Sequence, residues 1–201
     1  MLPTLTGQLP LTEPMDQEQI ERIDTASLDI LEEVGVVFRD DIALEDWREA
    51  GADVRGDRVH LDRGLVKSLI KTIPSEITLH ARNPEKTVAL GGRQSIFIPM
   101  TGAPYLRDLE DVRRSPTLDD LATFHKLAHM LPAMHSSAHH VVEPMDHPIS
   151  HRHLRITHSS MLYSDKTFMG MTTSGQNAED VLDMCAILFG EDYLETHAVV
   201  T

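Results

Sequence analysis

With one cysteine, Cys185, the chain cannot close an internal disulfide. The thiol falls in an apolar helical run, where it acts as a small hydrophobe. Long apolar runs are missing too: no window approaches the roughly 18 residues of a membrane helix. The opening MLPTLTGQLPLTEP has no basic stretch followed by an apolar one, so it does not read as a secretory signal, and a cytoplasmic location is the expectation. Basic residues are scarce, 18 against 32 acidic, for a net charge of −14. That argues against nucleic acid, whose phosphates demand a basic face. It is compatible with a cationic ligand or a basic partner, although acidity mostly serves solubility. Metal signatures are absent as well, with no HExxH and no CxxC. Histidine itself is abundant, 12 in all and seven between His135 and His158. His147, His151 and His153 would need to converge with Glu143 to bind zinc, but they spread over a loop and around a helix. Solvated histidines are the better reading, and no metal is assigned.

What remains is ordinary soluble composition, 41 % apolar and 25 % charged. A chain of 201 residues can bury one sizeable core, or a core plus an appendage. Residues 1–15, with Pro3, Gly7, Pro10 and Pro14, read as an extended arm. From Asp16 the spacing turns helical, with Ile20, Ile23, Ser27, Ile30, Leu31 and Val34 on one face and Gly35 closing it. A second helix follows Asp40, with Leu44, Trp47 and Ala50 inward. VRGDRVHL predicts a hairpin around Gly56-Asp57, and Asp62 a capped third helix that ends before Pro74. ITLHA, TVAL and SIFIPM are short β-rich runs separated by Asn83-Pro84 and Gly91-Gly92.

After residue 96 the rhythm changes. Thr117-Leu-Asp-Asp120 predicts a capped helix, MHSSAHHVV (134–142) a strand, 150–163 a helix, KTFMGMTTS (166–174) a strand, and Gly175 onward a further helix. THAVVT opens one more strand. Strand–helix alternation argues for parallel βαβ units. A closed barrel of such units needs ~250 residues, and fewer than 100 follow Pro116. The expected fold is α/β: a partial TIM (β/α)8 barrel, its first strands and helices only, preceded by a helical N-terminal region with a small β segment. The expected divisions are 1–15, 16–95 and 96–201, the last being the first part of a truncated barrel.

Four stretches in this order resemble one family. LDILEEVGVVF (28–38), IPSEITLHARNPEKTVALGG (73–92), IFIPMTGAPYLRDLEDVRRSPTLDDL (96–121), and VVEPMDHP (141–148) with Lys166-Thr167 are similar to the trimethylamine methyltransferase family, corrinoid-dependent enzymes that also include glycine betaine methyltransferases. The resemblance implies a TIM barrel and methyl transfer from a methylated amine, trimethylamine or a quaternary amine, to the cobalt of a separate corrinoid protein. No cofactor would bind this chain directly; the corrinoid (cobalamin) would arrive on its partner. A homo-oligomer is also expected at full length, with neither nucleic acid nor membrane as partner. The pyrrolysine of the trimethylamine enzymes would lie beyond position 201.

Because the cobalt is the nucleophile, such a protein supplies binding, orientation and exclusion of water. Aromatic faces and carboxylates suit a methylated ammonium, at the C-terminal ends of barrel strands. The substrate-binding candidates are therefore Phe97, Thr101, Gly102 and Tyr105 at the first such end. At the second they are His139, His140, Glu143 and Asp146, and at the third Met171. Within HHVV, His139 and Val141 are expected on one face and His140 and Val142 on the other. Plainer readings stand beside these: Phe97 as strand packing, Gly102 as a turn, Asp146 as a helix cap, Met171 as barrel filling. Two alternatives to the methyltransferase are a metal-dependent TIM-barrel hydrolase and an inactive fragment of the methyltransferase.

Overall fold

A computed structural model describes residues 5–8 and 12–201. The remainder of the expected arm, 1–4 and 9–11, lies outside the described residues. The first element, β1 (Leu5–Thr6), pairs antiparallel with Gln94–Ser95 and so belongs with the C-terminal part of the chain. Two compact units result, one within Leu9–Ser75 and the other made of Met1–Gln8 and Glu76–Thr201.

In the smaller unit Asp16 caps α1 (Gln17–Asp29) through a reciprocal capping box with Gln19. The helix widens into a π turn over Ile30–Val34 and stops at Gly35, whose φ is +72°. A Cβ there would lie 2.6 Å from the Val59 carbonyl oxygen, so the turn needs glycine. Strand β2 (Val36–Val37) follows, then α2 (Asp41–Glu49), capped by Asp40. The hairpin of β3 (Asp53–Arg55) and β4 (Arg58–His60) turns at Gly56-Asp57 as expected, giving an antiparallel sheet β2-β4-β3. Asp62 caps α3 (Arg63–Ile70) by accepting from the Gly64 and Leu65 N–H groups. Leu44, Val59 and Leu61 form the core, with Leu31, Phe38 and Trp47 against them.

The face expected to be buried on α1 is not. Ile20, Ile23, Ile30 and Val34 are each 46–57 % exposed; of the expected face Leu31 packs against the core, and Leu28, which is not on that face, is buried. Helical spacing alone does not bury a stripe: the contact with the sheet is made at the π turn, where Leu61 N–H donates to Leu31 O.

The larger unit begins with the hairpin β5 (Glu76–Leu79) and β6 (Val88–Gly91), followed by β7 (Gln94–Ser95). The sequence reading grouped these strands with the preceding helices. They instead meet later residues: His80 N–H donates to Ala198 O, Asn83 N–H to Asp165 O, and Lys86 pairs with Asp165. A small hairpin, β8 (Leu106–Arg107) and β9 (Arg113–Arg114), precedes α4 (Leu118–Met130). Thr117 and Asp120 form the expected capping box of α4. Then come α5 (Ile149–Tyr163), α6 (Gly175–Phe189) and the short α7 (Glu191–Leu194).

Between these helices run four extended segments that lie side by side in parallel. Ala103 bridges Val142, Ser136 bridges Thr167, and Phe168 bridges Val200, each in the parallel sense. His135 N–H donates to Phe97 O, Gly102 N–H to His140 O, Ser137 N–H to Thr167 O and Gly170 N–H to Thr201 O. Isolated bridges stand where the sequence predicts strands at 134–142 and 166–174. Ala138 has φ +61°, which breaks the extended run, and serine hydroxyls take ladder positions: Ser136 Oγ donates to Thr167 O and accepts from Ala138 N–H. Helix α5 packs against both α4 and α6, over two apolar clusters, Leu121–Val142–Ile156 and Phe168–Val181–Cys185–Val199. No closed barrel is present among the described residues.

Candidate functional site at the ends of the parallel segments

The second parallel segment leaves the array at Val142, which is buried, and its last residues meet the end of the first. Gly102 N–H donates to His140 O at 2.8 Å, and Glu143 N–H donates back to Ala103 O at 2.9 Å. Gly102 has φ +80°, and a Cβ there would stand 3.8 Å from His140 Nε2, so the backbone comes close to the imidazole. The two histidines do not face opposite ways. Their rings meet edge to face with centroids 4.1 Å apart and their Nδ1 atoms are hydrogen-bonded. The period of two fails because the segment is kinked at Ala138 rather than regularly pleated.

A half-buried Glu143 carboxylate joins this pair to α5. Its Oε2 lies 3.2 Å from His140 Nε2, and its Oε1 accepts from Arg152 Nη1 at 2.5 Å. Arg152 is fixed in turn by the loop, donating from Nε and Nη2 to the His147 carbonyl at 3.3 and 2.8 Å. Beneath lies a buried polar layer. His125 accepts or donates at Ser159 Oγ, 2.9 Å away, and at its other nitrogen donates to His139 O at 3.0 Å. Burial, with His140 and His125 nearby, pulls His139 down to about 4. Burial also lowers His140, against the pull of Glu143, and lowers His125. Both mouth imidazoles are thus neutral near pH 7.

Not every candidate from the sequence joins them. Phe97 stacks on His135 at the start of its segment, five residues before Gly102. Tyr105 carries the Arg113 guanidinium 4.0 Å above its ring, so a cation already takes that face. Asp146 accepts from Leu118 N–H at 3.0 Å and so caps α4 rather than α5. Met171 packs beside the cluster of Leu121, Val142 and Ile156. Thr101 is exposed immediately before Gly102. The structure therefore gathers Gly102, His139, His140 and Glu143, and adds Arg152, which the sequence reading passed over. Arg152 stands between His151 and His153 and reaches back nine positions to the Glu143 carboxylate. His153 itself is buried against Asp180, 2.6 Å away. Among the described residues no group of three His, Cys, Asp or Glu side chains is placed to hold a metal ion. Nor is any helix there long and apolar enough to cross a membrane.

Residues 1–201 match the family model described as trimethylamine methyltransferase (MTTB). The chain belongs to the trimethylamine methyltransferase family. A glycine betaine methyltransferase from Desulfitobacterium hafniense (strain Y51) is 43 % identical over 185 residues, covering 92 % of this chain and 39 % of that protein. The trimethylamine methyltransferase MttB of Desulfitobacterium hafniense (strain DSM 10664 / DCB-2) is 28 % identical over 185 residues, covering 88 % of this chain and 36 % of the relative. An L-carnitine:corrinoid methyltransferase from Eubacterium limosum is 27 % identical over 112 residues, 55 % of this chain and 23 % of its own length. The chain spans about two fifths or less of these relatives. Within this methyltransferase family, the mouth built by Gly102, His140, Glu143 and Arg152 offers a fixed carboxylate and a fixed guanidinium, with neutral rings around them.

Proposed function

We propose that the chain serves in moving a methyl group from a quaternary amine of the glycine betaine class to the cobalt of a corrinoid protein, with residues 96–201 as the first strands and helices of a (β/α)8 barrel. The observation that carries this reading is the parallel succession of segments 97–103, 135–143, 167–170 and 198–201, with Glu143 leaving the array at one end. Active groups gather at such strand ends in barrels. The higher identity to a glycine betaine methyltransferase than to a trimethylamine methyltransferase supports the quaternary donor. The corrinoid in two relatives' names supports the acceptor.

The partner's reduced cobalt is the nucleophile and the methyl acceptor. The C–N bonding electrons leave with nitrogen, and the amine departs neutral. What this chain's residues do is hold the donor: Glu143 faces the ammonium, His139 and His140 stay uncharged around it, and Gly102 leaves room for a methyl group to approach the backbone. Preorganised charges of this kind act most strongly where water is excluded.

The test uses the protein that carries this chain, mixed without oxygen with a reduced corrinoid protein and with glycine betaine or trimethylamine. Demethylation of glycine betaine, followed by proton NMR of the product and by the corrinoid spectrum, is the expected result. A folded protein that transfers methyl from neither donor refutes the reading.

A further inference from the structure

Four polar groups make up the mouth, and their charges cancel. Glu143 is negative, Arg152 positive, and the two imidazoles are neutral. The carboxylate and guanidinium are already paired at 2.5 Å, with side chains only 20 % and 12 % exposed. A bare cation entering here meets a carboxylate whose field is largely cancelled by its neighbour, and it leaves the site with an uncompensated charge in a half-buried place. A zwitterion does neither. Its ammonium can lie toward Glu143 and its carboxylate toward Arg152, head to tail with the ion pair, at no net charge. In an α-ammonio acid one carbon separates the charged ends, a span comparable with that of the pair itself.

Arg152 also has donors to give. A guanidinium carries five N–H groups. Three are used here, two on the His147 carbonyl and one on Glu143 Oε1. Two remain, on a side chain whose position is held from both sides. An anchored guanidinium with N–H groups to spare is suited to a carboxylate, which it binds with directional hydrogen bonds.

We infer that Arg152 is the specificity-determining residue of this site: it anchors the carboxylate of a zwitterionic quaternary ammonium acid, and so selects betaine-type donors over bare methylated cations. This rests on the methyl-donor reading above and adds the group that recognises the acid end.

The experiment compares two ligands, glycine betaine and tetramethylammonium, by isothermal titration calorimetry on the protein that carries this chain. Wild type is expected to bind glycine betaine at least ten-fold more tightly. In Arg152→Gln the two dissociation constants come within about two-fold of each other, because the carboxylate loses its anchor while Glu143 is freed for either cation. Arg152→Lys, which keeps the charge and is the milder change for folding, falls between. A selectivity ratio unchanged in both variants gives Arg152 a merely structural role and overturns the inference. So does a wild type that binds the two ligands equally, and that result leaves the donor reading standing. Failure of wild type to bind either ligand strikes the donor reading itself, and this inference falls with it.

Discussion

At the scale of single residues the site is governed by what burial does to imidazole. His139 is held near 4, and His140 and His125 are also pushed down, each first by burial. An unfolded chain returns these groups to about 6.5. Between that value and the depressed folded value the unfolded state binds more protons, so stability rises with pH through the window. Above pH 6.5 the contribution is fully present; as pH falls toward 4 it is lost. Asp120 and Asp165, held below the ordinary carboxylate range chiefly by the Arg114 pair and by Lys86 and Asn83, share that sign, but their loss begins only near pH 4. Thermal melts from pH 7.5 to 4.5 are therefore expected to show a fall in Tm that starts below about pH 6.5, ahead of the carboxylates. A Tm that stays level from pH 7 to pH 5 contradicts the buried neutral histidines.

The elements show which sequence signals carry physical weight. Asp16, Asp62 and Thr117 each cap the helix they predict, because a short oxygen side chain next to free N–H groups has one local solution. Gly56-Asp57 turns the predicted hairpin for the same kind of reason. Patterns that depend on distant partners were less legible. HHVV is expected to alternate its side chains as part of a strand, yet the positive φ of Ala138 and the Ser136 hydroxyl break the regular pleat, and nothing in the sequence announces either. The Glu143–Arg152 pair is similarly silent, since it depends on a loop closing over nine residues. Lys166 illustrates a third case. It opens the strand predicted at 166–174, and in the structure its side chain is buried while Nζ donates to Ala128 O, Leu131 O and Met134 O at 2.8, 2.8 and 2.6 Å. Ala128 O is one of the carbonyls that α4 leaves unsatisfied at its C-terminal end, and Leu131 O and Met134 O belong to the turn that follows it. Lys166→Met keeps the length of the side chain and removes all three bonds. It relieves a buried charge at the same time, so the expected net loss is about 1–3 kcal/mol in urea unfolding. An unshifted midpoint would show the carbonyls finding other partners.

On the scale of the whole molecule, each of the two compact units has an apolar cluster of its own, and this separates their stabilities. In the smaller unit Val59 is fully buried at the centre of the antiparallel sheet, touching the cluster that Leu44 and Leu61 complete. Removing two methyl groups there costs their transfer free energy plus a cavity, about 2–3 kcal/mol. For a cooperative unit of under 100 residues, each kcal/mol shifts the melting point by about 4–8 °C. None of the residues clustered around Phe168, Val181 and Cys185 belongs to the Val59 cluster. Val59→Ala is therefore expected to weaken amide-exchange protection across β2, β3, β4 and α3 while amides of α4, α5 and α6 keep theirs. Uniform loss of protection through both sets would mean that the chain unfolds as one body, and that the two cores do not act separately.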